Sequence, residues 1–144
     1  MEHNLVLQAA KFASDKHRDQ RRKDDSLSPY MNHLIDVAHL LCEVASVEDP
    51  EILAAALLHD TLEDTLTAPD ELETKFGQRV LGIVLEVTDD KTLPKDVRKQ
   101  LQIEHSAGLS KEAVLIKIPS SLFVRKMIYT GHILSMSPMS PLNS

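Results

Sequence analysis

Residues 57–65 read LLHDTLEDT, and the interpretation of the chain starts from them. They continue the apolar run ILAAALL at 52–58, which predicts a buried helix. On a helix, successive residues project about 100° apart and residues four positions apart share a face. We therefore expect His59 and Asp60 to converge beside the helix axis, with Glu63 above His59 and Asp64 above Asp60.

This group of polar residues has two interpretations. A single helical histidine is more often a core residue, and an acidic pair more often marks a solvated face. Here, however, the polar residues interrupt a run of Ala and Leu, where ionised groups are costly unless a metal or a partner takes them. A catalytic or metal site is therefore the favoured interpretation. Imidazole plus carboxylate suits Mn(II), Fe(II) or Zn(II) better than Mg(II), which prefers oxygen ligands.

The composition limits the class of protein. A chain of 144 residues with 42% hydrophobic and 3% aromatic residues indicates one domain with an aliphatic, helical core. There is neither an apolar run of membrane-spanning length nor the pattern of a secretion signal. The lone Cys42 fits a reducing compartment such as the cytoplasm. A net charge of −6 argues against general nucleic-acid binding, although it permits a local basic site. Oligomeric state is left open.

Further helices are predicted on both sides of the central run, so the expected fold class is all-α. An amphipathic helix runs from Leu5 to His17, and Asp49 with Pro50 supplies the N-cap and first residue of the central helix. Other helices begin at or near the following residues: Tyr30, Pro69, Arg79, Pro94 and Lys111. The segment 79–88 would also permit a strand, but no second strand is available to pair with it. For the helix at Tyr30, we expect these inward residues: Ile35, Ala38, Leu41, Cys42, Val44 and Ala45.

A basic segment, KHRDQRRKDD at residues 16–25, precedes the second helix. Charge runs are usually solvated surface, but guanidinium groups also suit phosphate oxygens, and the residues leave both interpretations open. His17 could contact phosphate or cap the first helix. His33 indicates little when taken alone.

Four motifs in order carry a family resemblance: HRDQRRK at 17–23, PYMNH at 29–33, AALLHDTLEDT at 55–65 and VTDDKTLPK at 87–95. Together they resemble the HD-domain hydrolases of the RelA/SpoT type, in particular the stand-alone metazoan SpoT homologues. The resemblance runs from about residue 5 to Lys117. It implies an HD-domain helical bundle, one divalent ion, usually manganese, and a nucleotide substrate, guanosine 3′,5′-bis(diphosphate), which loses its 3′-pyrophosphate.

The same resemblance implies roles for individual residues. His33, His59 and Asp60 would be metal ligands, and Glu63 and Asp64 would orient and deprotonate the attacking water. Four cationic residues would contact substrate phosphates: Arg22, Lys23, Lys91 and Lys95.

The resemblance ends where the composition changes. Relatives place a fourth metal ligand, an aspartate, where this chain has Ser120, and an asparagine that contacts the nucleotide where it has Val124. Residues 119–144 contain none of the chain's 22 acidic residues. We therefore divide the chain into a hydrolase domain, 1–118, and a divergent, poorly ordered tail, 119–144, which leaves the bundle incomplete at its C-terminal end. Alternative splicing, a reading-frame change or a faulty gene model would explain such a tail, as would genuine divergence.

Four functions are consistent with these observations. The first is hydrolysis of guanosine tetraphosphate, and the second is removal of the 2′-phosphate of NADPH, which also carries a phosphate on ribose. The third is hydrolysis of another nucleotide. The fourth is a catalytically impaired chain that only binds nucleotide, because loss of a carboxylate ligand weakens metal binding.

Overall fold

A computed structural model describes residues 2–89, 92–105 and 108–118, with side chains from residue 4 onward. Within these ranges, the only pairing of extended backbone is an isolated bridge between Arg21 and Pro29. The helices are α1 (Glu2–Lys16), α2 (Tyr30–Glu43), α3 (Pro50–Leu58), α4 (Thr61–Asp64), α5 (Pro69–Phe76), α6 (Gln78–Glu86) and α7 (Lys95–His105), and residues 111–118 are helical as well. The all-α prediction is confirmed, including a helix rather than a strand at α6.

Helix α3 lies at the centre of the bundle and packs against α1, α2 and α6. Ala54, Ala55 and Ala56 are completely buried, as expected for a helix that is apolar on every side. The Asp49 side chain caps the helix by accepting a hydrogen bond from the Glu51 N–H, with Pro50 as first helical residue. The predicted start of the central helix is confirmed.

The predicted inward face of α2 was right at Leu41, which is buried, and at Ala38, which packs against the core, but wrong at its other positions. The buried residues are His33, Leu34, Val37 and Leu41, whereas Ile35 is 49% and Val44 is 73% exposed. Cys42 is exposed too, so it is not a core residue. The error has a physical cause: treating His33 as uninformative removed a buried residue from the pattern and rotated the expected face. The buried set is spaced as one helical stripe once His33 belongs to it.

Helix α7 is almost entirely at the surface. It contains no buried residue, and its Val97 and Ile103 are 40% and 66% exposed. No helix in the described part of the chain has the length and apolar character needed to cross a membrane.

Arg79, at the start of α6, joins three segments. Its guanidinium contacts Asp49 at 2.8 Å, Glu51 at 2.7 Å and Glu112 at 3.2 Å. The helix 111–118 is thereby linked to the N-terminus of α3, while its residues Ala113 and Ile116 are buried.

Candidate metal centre

The polar stretch at 59–64 consists of a break between two helices, at residues 59–60, and the short second helix that follows it. The sequence predicted one continuous helix through it, but α3 ends at Leu58 and α4 begins at Thr61, so that prediction was wrong. Two side chains form hydrogen bonds with backbone carbonyl groups at the break. The Thr61 hydroxyl donates to the Leu58 carbonyl at 2.7 Å, and His59 Nδ1 lies 2.6 Å from the Ala56 carbonyl oxygen. Such local side-chain hydrogen bonds compete with the helical pattern.

The break brings His59 and Asp60 together with His33 of α2. One potential ligand atom from each residue lies within 4.8 Å of the other two. Asp60 Oδ2 is 3.2 Å from His59 Nε2 and 4.0 Å from His33 Nε2. Both histidines are only 5% exposed. The expected convergence of two imidazoles and a carboxylate is present in the structure.

The two histidines are in suitable states to bind a cation. Because a carbonyl oxygen can only accept, His59 Nδ1 must donate to Ala56, so that Nε2 is the ring nitrogen that can bind a cation at the cluster. Burial, and then the neighbouring His59, lower the pKa of His33 from 6.5 to about 4. His33 is therefore neutral near pH 7, as a metal ligand must be.

Tyr30, the first residue of α2, holds the carboxylate of the cluster. Its hydroxyl donates to Asp60 Oδ2 at 2.5 Å. Burial, and then the Asp60 charge, raise the pKa of this hydroxyl far above its ordinary value, so it remains a donor. The ring also packs against His17 and His33, with centroids 5.2 Å and 5.3 Å away.

The acidic pair of α4 is held by hydrogen bonds from two different segments. Glu63 Oε1 accepts from the Asp89 N–H at 3.0 Å, and Asp64 Oδ2 accepts from Gln20 Nε2 at 3.3 Å. Gln20 Oε1 in turn lies 2.6 Å from His17 Nδ1, and His17 is 2% exposed. His17 is therefore buried rather than part of a solvated strip. It directly follows α1, where its N–H donates to the Ala13 carbonyl at 2.9 Å, and its ring fixes the amide that contacts Asp64.

Tyr30 and Gln20 were missed as site residues. Both lie within motifs that the sequence had already singled out, PYMNH and HRDQRRK. The signal that could have identified them as site residues is that each is a polar residue within one of these motifs. Its target could not be deduced, because Gln20 and Asp64 are 44 positions apart.

The four predicted phosphate-binding residues lie in different environments. Arg22 is half-buried, and its charge contributes to lowering the pKa of His33, so it lies near the cluster. Lys23 is exposed. Lys95 is exposed on α7, beside a groove that it shares with Arg98 and Gln102. Lys91 lies outside the described residues.

A cavity of about 270 Å³ opens onto the cluster. One part of its wall is formed by Tyr30, His33, His59, Asp60 and Glu63. The other part is formed by residues between Val87 and Lys117. Three ligand atoms on one side, two of them imidazole nitrogens, fit a divalent ion with positions left for water or substrate. Ser120 and Val124, where relatives carry further site residues, lie outside the described residues, as does the whole predicted tail.

Comparison with known proteins agrees with this geometry. The HD domain family model matches residues 9–112. Guanosine-3′,5′-bis(diphosphate) 3′-pyrophosphohydrolase MESH1 of Xenopus tropicalis is 52% identical over 119 residues, covering 83% of this chain and 66% of the relative. Its Homo sapiens counterpart is 52% identical over 118 residues, covering 82% and 66% respectively. The chain thus spans slightly less than two thirds of the length of these curated relatives.

A solved structure is similar as well. It is described as a metazoan ortholog of SpoT that hydrolyses ppGpp and plays a role in starvation responses. The TM-score is 0.81 at 46% identity, with 85% of this chain and 69% of that chain covered. The described helices therefore have the arrangement of an HD-domain hydrolase.

Proposed function

The chain belongs to the HD-domain family, and we propose that it is a metal-dependent phosphohydrolase that converts guanosine 3′,5′-bis(diphosphate) to GDP and pyrophosphate. One observation carries the proposal: His33, His59 and Asp60 converge in a cavity that Glu63 also lines. The names of the relatives support the substrate. We assign the activity to a domain of residues 1–118 and, from the lone cysteine, place it in the cytoplasm.

His33, His59 and Asp60 would hold one divalent ion. The mixture of imidazole and carboxylate favours manganese, iron or zinc, and we propose manganese as the resident metal. When bound, such an ion lowers the pKa of a coordinated water and polarises a phosphoryl oxygen. Tyr30 would keep Asp60 in place by its hydrogen bond, whether or not the ion is present.

Glu63 and Asp64 would act on the water and its proton. We propose that one carboxylate orients the water and the other accepts a proton as it attacks the phosphorus bonded to the ribose 3′ oxygen. The bond from that phosphorus to the 3′ oxygen breaks, pyrophosphate leaves, and the ribose oxygen takes up a proton. Hydrogen bonds from Asp89 and Gln20 already fix both carboxylates, so little reorganisation is needed.

Cationic side chains would bind the substrate phosphates. Arg22 is the strongest candidate because it is half-buried and its charge reaches His33. We propose Lys23, Lys91 and Lys95 as more peripheral contacts. Guanidinium and ammonium groups at these positions would also stabilise the negative charge that develops on the phosphoryl oxygens.

The proposal is tested with one preparation of the full chain, assayed twice. Metal content is measured after purification, and manganese-dependent release of pyrophosphate from guanosine tetraphosphate is then followed. Asp60→Asn should lower both readings to background, whereas Asp36→Asn, at an exposed position of α2, should leave both unchanged. Equal activity in Asp60→Asn and the unchanged chain would overturn the metal centre.

Further assays separate the alternatives. NADPH is the second substrate to test, with phosphate release as readout, because its 2′-phosphate is also borne on ribose. Binding of guanosine tetraphosphate without release of pyrophosphate would identify an impaired chain. In that case, Ser120→Asp combined with Pro119→Ala should raise metal occupancy, because it supplies the aspartate that relatives have at this position.

A further inference from the structure

A second cavity adjoins the metal cavity. Its volume is about 180 Å³, and it lies among the C-terminal end of α6, helix α7 and the helix 111–118. Asp89, Gln102 and Lys117 line both cavities, so the two are neighbouring parts of one cleft. The second part has room for a phosphate group, since a water molecule takes about 30 Å³ of liquid volume.

Two cationic side chains face the second cavity, Arg98 of α7 and Lys117. Among the described residues, neither forms an ion pair. Arg98 Nε is buried and has no hydrogen-bond acceptor in the described part of the chain. Leaving a charged donor buried without an acceptor is costly, and a ligand oxygen would remove that cost.

The cavity also has acidic residues, but hydrogen bonds from other groups occupy them. Glu86 Oε1 accepts from the Ser110 N–H at 2.8 Å. Asp89 Oδ2 accepts from Gln102 Nε2 at 2.7 Å. These carboxylates therefore do not neutralise Arg98 or Lys117 by direct contact. The negative charges of Glu86 and Asp89 nevertheless repel an anion. We therefore expect the second cavity to contribute only a minor part of the affinity for an anionic ligand.

We propose that Arg98 and Lys117 form a second anion pocket, which binds the distal phosphate group of a nucleotide phosphorylated at two ribose positions. The inference rests on the proposed function, since one phosphorylated position would lie at His33, His59 and Asp60. The planar fork of Arg98 suits two phosphate oxygens, and Lys117 adds a point charge between the two cavities. The pocket therefore distinguishes ribose bisphosphates from monophosphates.

The test measures binding without turnover. Metal-free full-length chain, kept in EDTA, is titrated calorimetrically with guanosine 3′,5′-bisphosphate and with guanosine 3′-monophosphate. Arg98→Gln and Lys117→Gln should each weaken binding of the bisphosphate by about tenfold and change binding of the monophosphate less than about twofold, as expected for loss of one charge-assisted contact.

Lys111→Gln is the matched control, because Lys111 is exposed at the start of the helix that contains Lys117 and lines neither cavity. It should change neither affinity, and thermal unfolding of each variant checks that the chain still folds. Should Arg98→Gln unfold, Lys117→Gln provides the same comparison. Equal weakening of both nucleotides, no weakening of either, or no binding of the bisphosphate at millimolar concentration would overturn the pocket. Failure of the proposed function appears separately, as absence of pyrophosphate release from a chain that still shows the difference in binding.

Discussion

The proposed metal cluster and the predicted phosphate-binding residues differ in how firmly the fold holds them. His33 and His59 are each 5% exposed, and Asp60 is fixed by the Tyr30 hydroxyl. Lys23 and Lys95, in contrast, project from exposed positions. The fold thus fixes the groups proposed for the chemistry and leaves Lys23 and Lys95, which are proposed for substrate contact, exposed. Substitutions at the proposed metal cluster should lower metal affinity or the rate of pyrophosphate release by orders of magnitude. Substitutions of the exposed phosphate-binding residues should change KM only a few-fold.

The largest expected effect is that of Glu63→Gln. Removing one of the two carboxylates proposed to orient and deprotonate the water should lower the rate of pyrophosphate release by about 10²–10⁴-fold while leaving metal content unchanged, because Glu63 is not a proposed ligand. Steady-state kinetics and metal analysis on the same sample measure both quantities. Glu73→Gln, at an exposed position of α5, is the control. A parallel loss of metal would show instead that Glu63 supports the ligands.

The next effect concerns pH. The pKa of His33 is about 4 in the folded chain and 6.5 for an unperturbed imidazole, so at pH values between these two the unfolded chain binds more protons. The free energy of unfolding of the metal-free chain should therefore fall as pH decreases from about 6.5 towards 4, by no more than about 3 kcal/mol. Urea unfolding at several pH values measures it. His33→Gln should remove this contribution and His39→Gln, exposed on the same helix, should keep it; identical slopes in both variants would contradict the assignment.

Tyr30→Phe tests the support of the cluster. The ring and its packing remain, but the hydrogen bond to Asp60 is lost. Metal affinity should fall by about 10–100-fold, the usual cost of removing a residue that orients a ligand. Competition with a fluorescent chelator measures the dissociation constant. Unchanged metal affinity would mean that Asp60 is positioned without Tyr30.

The smallest expected effect is that of Lys23→Gln. An exposed ionic contact contributes about 1 kcal/mol or less, so KM for guanosine tetraphosphate should rise less than about fivefold with kcat unchanged. Arg22→Gln should raise KM more, since Arg22 is half-buried. Lys75→Gln on α5 controls for net charge. If Lys23→Gln raises KM more than Arg22→Gln does, the claim that exposed phosphate-binding residues contribute less than half-buried ones is wrong.

The sequence predicted most of the helices because their signals are local. Asp49 with Pro50 and the apolar run at 52–58 depend on neighbouring residues only, and both predictions are confirmed. The break after Leu58 was missed, because two side-chain hydrogen bonds that end the helix cannot be anticipated from hydrophobicity. The face of α2 was misjudged for a related reason: a buried histidine looks polar in the pattern.

The sequence predicted only those site residues to which the family resemblance assigns a role. That His33 would meet His59 and Asp60 followed from the family resemblance, not from spacing. The contacts of Gln20 with Asp64 and of Tyr30 with Asp60 join residues 44 and 30 positions apart, which no local pattern specifies. The metal and catalytic roles themselves stay predictions until they are measured.

The exposed ion pairs of Arg79 have a consequence for how such measurements are made. They attach the helix 111–118, which contributes Ile116 and Lys117 to the cavity wall, to the start of α3. Exposed ion pairs such as these stabilise less as salt concentration rises, because the screening length, about 8 Å at physiological ionic strength, becomes shorter. Raising the ionic strength should therefore loosen one wall of the cavity at the same time as it weakens attraction of the nucleotide. Kinetic constants for this chain are comparable with those of its relatives only at matched salt concentration.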